Sequence, residues 1–399
     1  MRSKKLSRSC SALAAVALSS VLLPISAAHA AGAPTSTAPT VDRVTVDAFG
    51  RVADAVLSER TDALVDREQG AGTAPHFAGG VRLSSALART EDSAVSSLHG
   101  RKSRLAALGE AYSAADTKVA VNGTRVEGNH AKVEVTETTT LTYKRIRGDE
   151  PATTGFTAHH ELTFTAGSNG TWQLSGLRST DKGPRAVNEP APVAAKAATA
   201  QPEATPASTA SPAPANRKDL GGTSGYNYTA MATYAEKYWK NYNPAYRNFN
   251  AAGGDCTNFV SQSLNAGGWT FVSGTTTDYT KWWYDSANQS DSWVGANEWS
   301  WFTLSAKRAT NLAYVYQLDV GDVLQMDFDK DGSKDHTMLT TYRSSSGVPY
   351  VTYHATDTYR RSVASLISSY PNSAYSANPT GPGRRGPVRR GRAPPLGRP

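Results

Sequence analysis

Between Asp181 and Asp219 the chain is built mainly of Ala, Pro, Thr and Ser with scattered charges. So little apolar mass cannot make a core of its own, and the prolines favour an extended, semi-stiff course. The stretch therefore reads as a linker, 181–219. It divides the 399 residues into a first folding half, 41–180, and a second, 225–378.

The two ends read differently from the middle. Arg2, Lys4, Lys5 and Arg8 precede a mostly apolar run from Ala12 to Ile25, and Ala28-His29-Ala30 follows. That is the pattern of an export signal over 1–30. The run is short for a membrane span and contains Pro24. The expected location is secreted and extracellular, with no membrane span in the mature chain. Residues 381–399 are Arg, Gly and Pro without apolar pattern, a disordered basic tail. Signal and tail carry most of the formal charge of +8. The remainder is close to neutral, so the balance gives no reason to expect a nucleic-acid partner. Cleavage after Ala30 removes Cys10 and leaves Cys256 as the lone cysteine, so stability must come from packing. A leftover thiol in an exported protein either pairs between chains or reacts.

The first half changes period along its length. Val44, Phe49, Val52, Val56, Leu57 and Leu64 recur at helical spacing, and a second helical stretch covers roughly Val81 to Tyr112. From Lys118 to about Arg178 the alternation is of period two, broken by Asn122-Gly123, Gly128-Asn129 and Ser168-Asn169-Gly170. Helices followed by an antiparallel meander give a smaller α+β domain of unassigned role. His159 and His160 are adjacent on a strand and face opposite sides, which makes them structural or surface residues.

In the second half, Tyr228, Met231, Ala232, Ala235, Tyr238, Trp239 and Tyr242 form an aromatic helix face. Six tryptophans lie between Trp269 and Trp301, and at least half are expected in the core. Asp319 to Asp327 reads as a turn entering a strand, and further strands are expected from His336 to Tyr342 and from Tyr350 to His354. The fold class is again α+β, with helices packed on an antiparallel sheet.

The chemistry concentrates at Gly253-Gly254-Asp255-Cys256-Thr257-Asn258-Phe259-Val260-Ser261-Gln262. A glycine turn feeds a helix with Asp255 at its N-cap. Cys256 then sits in the first turn, where the helix dipole favours a thiolate. The glycines leave room for a substrate. A nucleophilic cysteine needs a base and a group that orients the base. His336 and His354 lie on successive strands, and a hairpin between them makes Cys256, His336 and His354 a nucleophile–base–orienter series. Asp357 is the alternative third member. Catalytic zinc on Cys256, His336 and His354 is a rival use of the same residues.

The cysteine block, with Leu264 and Ala266-Gly267-Gly268, resembles the signature of the putative amidase domain family. That family is a secreted bacterial branch of the papain-like cysteine hydrolases, akin to the NlpC/P60 and CHAP enzymes. Gly321-Asp322-Val323 through Asp335-His336-Thr337 resembles its histidine strand, and Tyr353-His354-Ala355-Thr356-Asp357-Thr358 its last polar block. The resemblance implies a papain-like fold over about residues 225–375, Cys256 as nucleophile, His336 as base and His354 as third member. It also implies no cofactor and an amide or peptide substrate, with peptidoglycan peptides the best guess from export. Asn250 and Asn248 are candidate oxyanion helpers upstream of the cysteine. The other class is a non-catalytic wall- or ligand-binding module with a relic site.

Asp327, Asp329, Asp331, Gly332 and Asp335 resemble the front of a calcium loop. Met338 stands where such a loop needs its late bidentate acid, and an Asp-Gly hairpin turn accounts for most of the pattern.

Overall fold

The alternating residues after Lys118 form long strands because each sends every second side chain into one core. A computed structural model describes residues 42–66, 82–168, 170–190, 204–211 and 225–381. Expectations for the export signal, the lead before residue 41 and the tail after 381 lie outside them, as do most of 191–224 and Asn169. All described residues fall in one unit, Pro39–Pro399.

Helix α1 (Arg43–Asp62) starts at Asp42, whose carboxylate accepts the Thr45 N–H at 2.7 Å. Its Phe49, Val52, Ala53, Val56 and Leu57 make the buried stripe. A short strand β1 (Arg82–Leu83) precedes α2 (Ser85–Ala107), which Ser84 caps. Then β2 (Tyr112–Glu127), β3 (His130–Tyr143), β4 (Thr153–Ala166) and β5 (Trp172–Ser179) run as an antiparallel meander. The α1 stripe packs on Val133, Val135, Leu162, Phe164 and Leu174, and Phe49 stacks on Phe164 at 4.1 Å.

Gly128, at φ 60°, makes the expected turn between β2 and β3. Asn122-Gly123 does not turn. It lies inside β2 at a register shift between Val121 and Gly123. Continuous pairing on both sides outweighs the local turn preference, and the pair becomes an irregularity in the strand.

The second half contributes α3 (Tyr228–Tyr238), α4 (Cys256–Ala266), α5 (Asp291–Val294) and α6 (Ala296–Ser305). Strands β6 (Val323–Asp327), β7 (His336–Arg343), β8 (Pro349–Tyr353) and β9 (Asp357–Ser362) follow, then α7 (Val363–Ser369) and β10 (Ala374–Asn378). The strands pair antiparallel in the order β10-β6-β7-β8-β9. Leu339 of β7 packs with Phe259 and Val260 of α4 and with four fully buried tryptophans, 269, 282, 293 and 299. Met338 faces the other way, with Val351, Tyr353 and Leu366.

The two halves share more than a tether. β9 pairs with β4 through Gly155↔Tyr359, Phe156↔Thr358 and Thr157↔Asp357, so all ten strands join one mixed, mostly antiparallel sheet. The stretch expected as a spacer is also packed where it is described. Ala186, Val187, Asn188 and Glu189 are at most 2% exposed. Asn188 donates to Glu137 Oε1 at 2.7 Å and Thr61 Oγ1 at 2.8 Å, and Arg101 donates to the Val187 carbonyl. Composition misses this because the burial is in the other half's cavity, against partners far away in sequence. His160, the inward member of its pair, meets Glu137 at 2.9 Å and Glu189 at 3.5 Å.

A second seam is polar. Glu110, between α2 and β2, accepts from Ser362 Oγ at 2.6 Å. Burial of its carboxyl end pushes the pKa up to about 7 from an ordinary 4.5. The folded chain thus keeps this proton over a range in which the unfolded chain has released it. Stability contributed by the protonated form is complete below pH 4.5 and falls as pH rises towards 7. Glu110→Gln is expected to leave the urea midpoint unchanged near pH 4 and to raise it at pH 8. A variant less stable than wild type at pH 8 would contradict this.

Candidate active site

The turn before Cys256 is held by its glycines. Gly253 and Gly254 have φ of 127° and 125°, a region other residues rarely adopt. They reverse the chain after Asn250–Ala252 and deliver Asp255 and Cys256 to the start of α4.

Asp255 does not cap the helix as the sequence suggests. Its Oδ1 accepts the Phe249 N–H and the Asn258 side-chain amide, both at 2.9 Å. Its Oδ2 lies 2.7 Å from His354 Nδ1. The carboxylate, fully buried, therefore ties the turn before the helix, the helix itself and the end of β8 together. His354 Nε2 lies 2.8 Å from the Tyr238 carbonyl. Both ring nitrogens thus face acceptors, a demand that a ring carrying both protons satisfies. Tyr242 and Phe259 stack on either side of the ring at 3.9 and 4.0 Å.

Cys256 is the first residue of α4 and is partly exposed. Its Sγ lies 3.7 Å from Thr257 Oγ1, and the nearby Thr337 backbone N–H favours the thiolate. Burial pushes the thiol pKa up. The bonds from Thr337 and Thr257 oppose that, and the Asp255 charge adds to it. In this state burial outweighs the helix-start effect that the sequence suggested.

His336 opens β7, the residue before Thr337. The Thr337 hydroxyl lies 2.9 Å from that of Thr257, so residues adjoining the thiol and the imidazole are bonded to each other. Strand alternation sends the two side chains of β7 to opposite faces. Thr337 meets α4, and His336 meets the Tyr353 ring edge-on at 5.0 Å. Neither nitrogen of His336 has a hydrogen-bonding partner among the described residues, and the side chain is fully buried. Burial, then the Arg361 charge, pushes its pKa down to about 3, so the ring is neutral.

The expected Cys256–His336–His354 series is therefore not bonded end to end. Among the described residues His336 makes no hydrogen bond to Cys256, while His354 is bonded to Asp255 and Tyr238. Asp357 and Asn250 are both tied to Tyr242. Its hydroxyl donates to Asp357 Oδ1 at 2.8 Å and receives the Asn250 amide at 2.9 Å. Burial pushes Asp357 up to about 6. Asn248 accepts the Asn250 N–H at 2.8 Å. Sequence reasoning missed Tyr242, Thr337 and the second role of Asp255. Tyr242 had one signal, its place directly before the Asn243-Pro244 break; the helix expected to run to it ends at Tyr238.

The acidic loop leads into His336. One carboxylate oxygen each from Asp327, Asp329 and Asp335 lies within 4.8 Å of the others; Asp331 is not in that group. The loop's own N–H groups already use these carboxylates. Asp327 receives Lys330 at 2.6 Å and Gly332 at 2.9 Å, Asp329 receives Asp331 at 3.3 Å, and Asp335 receives Phe328 at 2.6 Å.

Residues 225–377 match the family model described as "Putative amidase domain". Two Bacillus subtilis (strain 168) proteins are similar. The uncharacterized protein YhbB is 32% identical over 148 residues, covering 36% of this chain and 46% of its own length. The uncharacterized protein YjcM is 34% identical over 143 residues, covering 33% and 32%. The chain thus spans less than half of either relative. The intermembrane-space region of the chloroplast protein ARC6 aligns with 35% of this chain and 98% of its own, at 17% identity. Its TM-score of 0.22 carries no structural argument.

Removing His354 would leave the fully buried Asp255 carboxylate without its partner on Oδ2, a situation that costs ~3–5 kcal/mol. His354→Ala is expected to lower unfolding free energy by about that amount in urea titration. A loss below ~1 kcal/mol would show that the pair does not hold the turn.

Proposed function

We propose that residues 225–377 form a cysteine amidohydrolase of papain-like design, with Cys256 as nucleophile and His336 as general base and acid. The observation that carries the reading is the strand end. A thiol at a helix start is joined, through the Thr257–Thr337 hydroxyl bond at 2.9 Å, to the strand end that carries a neutral imidazole, whose nitrogens no other described residue claims. An imidazole used structurally would be bonded, as His354 and His160 are.

The chemistry follows from those groups. His336 takes the Cys256 proton, and the thiolate attacks the carbonyl carbon of an amide. N–H groups of the first helical turn, with the Asn250 amide as helper, face the developing oxyanion. The C–N bond breaks as imidazolium returns the proton to the leaving amine. Water, deprotonated by the same imidazole, then cleaves the thioester and frees the acid and the thiol. His354 acts at one remove in this scheme, by fixing Asp255 and so the position of Cys256. No cofactor is needed. The basic and apolar N-terminal sequence supports export, and export supports a peptide substrate of the cell wall.

Cys256→Ala is expected to abolish hydrolysis of cell-wall peptide fragments and simple peptide amides while leaving the circular dichroism spectrum unchanged. His336→Ala should lower kcat by roughly 10²–10⁴-fold. Full turnover by Cys256→Ala would rule out the thiol mechanism and favour a binding module that keeps only the shape of a site.

A further inference from the structure

His336 is sealed, and part of its cover comes from the other half of the chain. After β5 the backbone passes Asp181, Lys182 and Gly183 across the end of β7. A Cβ placed on Gly183 would lie 3.3 Å from His336 Nδ1 and 3.1 Å from both the Cβ and the carbonyl of Ala355. Gly183 has φ of 133°. The same pass brings the Lys182 carbonyl within 3.7 Å of where a Cβ on Gly254 would stand. The peptide between Lys182 and Gly183 thus lies against both the glycine turn of the nucleophile and the base. Only a residue without a side chain fits there.

The segment is fastened on both sides of this pass. Asp181 holds His159, at 2.8 Å to the backbone N–H and 2.9 Å to Nδ1. The Arg185 N–H donates to the Tyr370 hydroxyl at 2.5 Å. Beyond it, Asn188 and Glu189 enter the buried polar cluster of Glu137 and His160. Most of these anchors belong to the first half. Between strands of the described residues, the halves meet through the three β4–β9 pairs.

We propose that Asp181–Pro190 is an autoinhibitory strap: its bend at Gly183-Pro184 covers His336, and the site becomes competent when that bend lifts. The inference rests on the cysteine-hydrolase reading for what is inhibited, but not for the occlusion itself. A base enclosed with neither nitrogen open to a thiol or a leaving amine cannot pass a proton. Lifting the strap exposes the imidazole and restores its hydration, and the burial that holds its pKa low is relieved.

The test is carbethoxylation of His336 in the full chain by diethyl pyrocarbonate, mapped by mass spectrometry with exposed His130 as internal reference. In the wild type His336 should react at least tenfold more slowly than His130. Gly183→Val puts a branched side chain into the Ala355–His336 contact and should raise the His336 rate tenfold or more. Asp181→Ala, which removes the two bonds that fasten this end of the segment to His159, should raise it severalfold. Both variants should hydrolyse peptide amides faster than the wild type. His336 as reactive as His130 in the wild type, or still sealed in both variants, would overturn the strap. Cysteine-dependent hydrolysis that neither variant changes would also overturn it and leave the proposed mechanism standing. An exposed His336 with no hydrolysis would keep the strap and remove the mechanism.

Discussion

The pair between Asp255 and His354 holds the site together. A carboxylate with no exposure is tolerable only when its oxygens are all engaged. Here three elements supply the partners: the Phe249 backbone before the turn, Asn258 within α4 and His354 at the end of β8. Cys256 follows Asp255 directly, so its place is set by that junction. The tryptophan-rich core beneath α4 gives the junction a rigid base, and the Trp293 indole donates to Asn258 Oδ1 at 2.7 Å. Histidine stacking between Tyr242 and Phe259 adds shape to what charge alone would leave loose.

The two halves of the chain are coupled through the same region. β9 begins at Asp357, three residues after His354, and runs alongside β4 of the first half. Asp357 also receives the Tyr242 hydroxyl. One short stretch of sequence therefore carries the brace of Cys256, the seam between halves and, at Ala355, the floor on which Gly183 rests. A first half joined only by a free tether could not act on the candidate site. One that shares its sheet can.

Much of this was legible in the sequence, and the parts that were not share a cause. The glycine turn, the helix after it and the strand opened by His336 are written in local spacing and turn chemistry, and so is the first half's order of helices before strands. The core role of Trp269, Trp282, Trp293 and Trp299 follows from size and apolarity. What was hidden depends on partners remote in sequence. Asp255 has the composition of an N-cap, but His354, 99 residues on, claims it instead. Residues 186–189 look like spacer until Glu137, Thr61 and Arg101 surround them. His336 and His354 do lie on one hairpin, but pairing Leu339 with Thr352 sets them at neighbouring positions that face opposite sides. A one-residue difference in register, invisible in composition, separates a catalytic series from two histidines with different tasks.

The central claim is that Cys256 and His336 act as a thiol–imidazole pair once the cleft is open. The most direct measurement is the rate of iodoacetamide alkylation at Cys256 against pH in Gly183→Val, with and without His336→Ala. The account predicts a plateau that begins well below the free-thiol pKa of about 8.5, and loss of that plateau when His336 is removed. Two superimposable profiles, both rising with an ordinary thiol pKa, would contradict it.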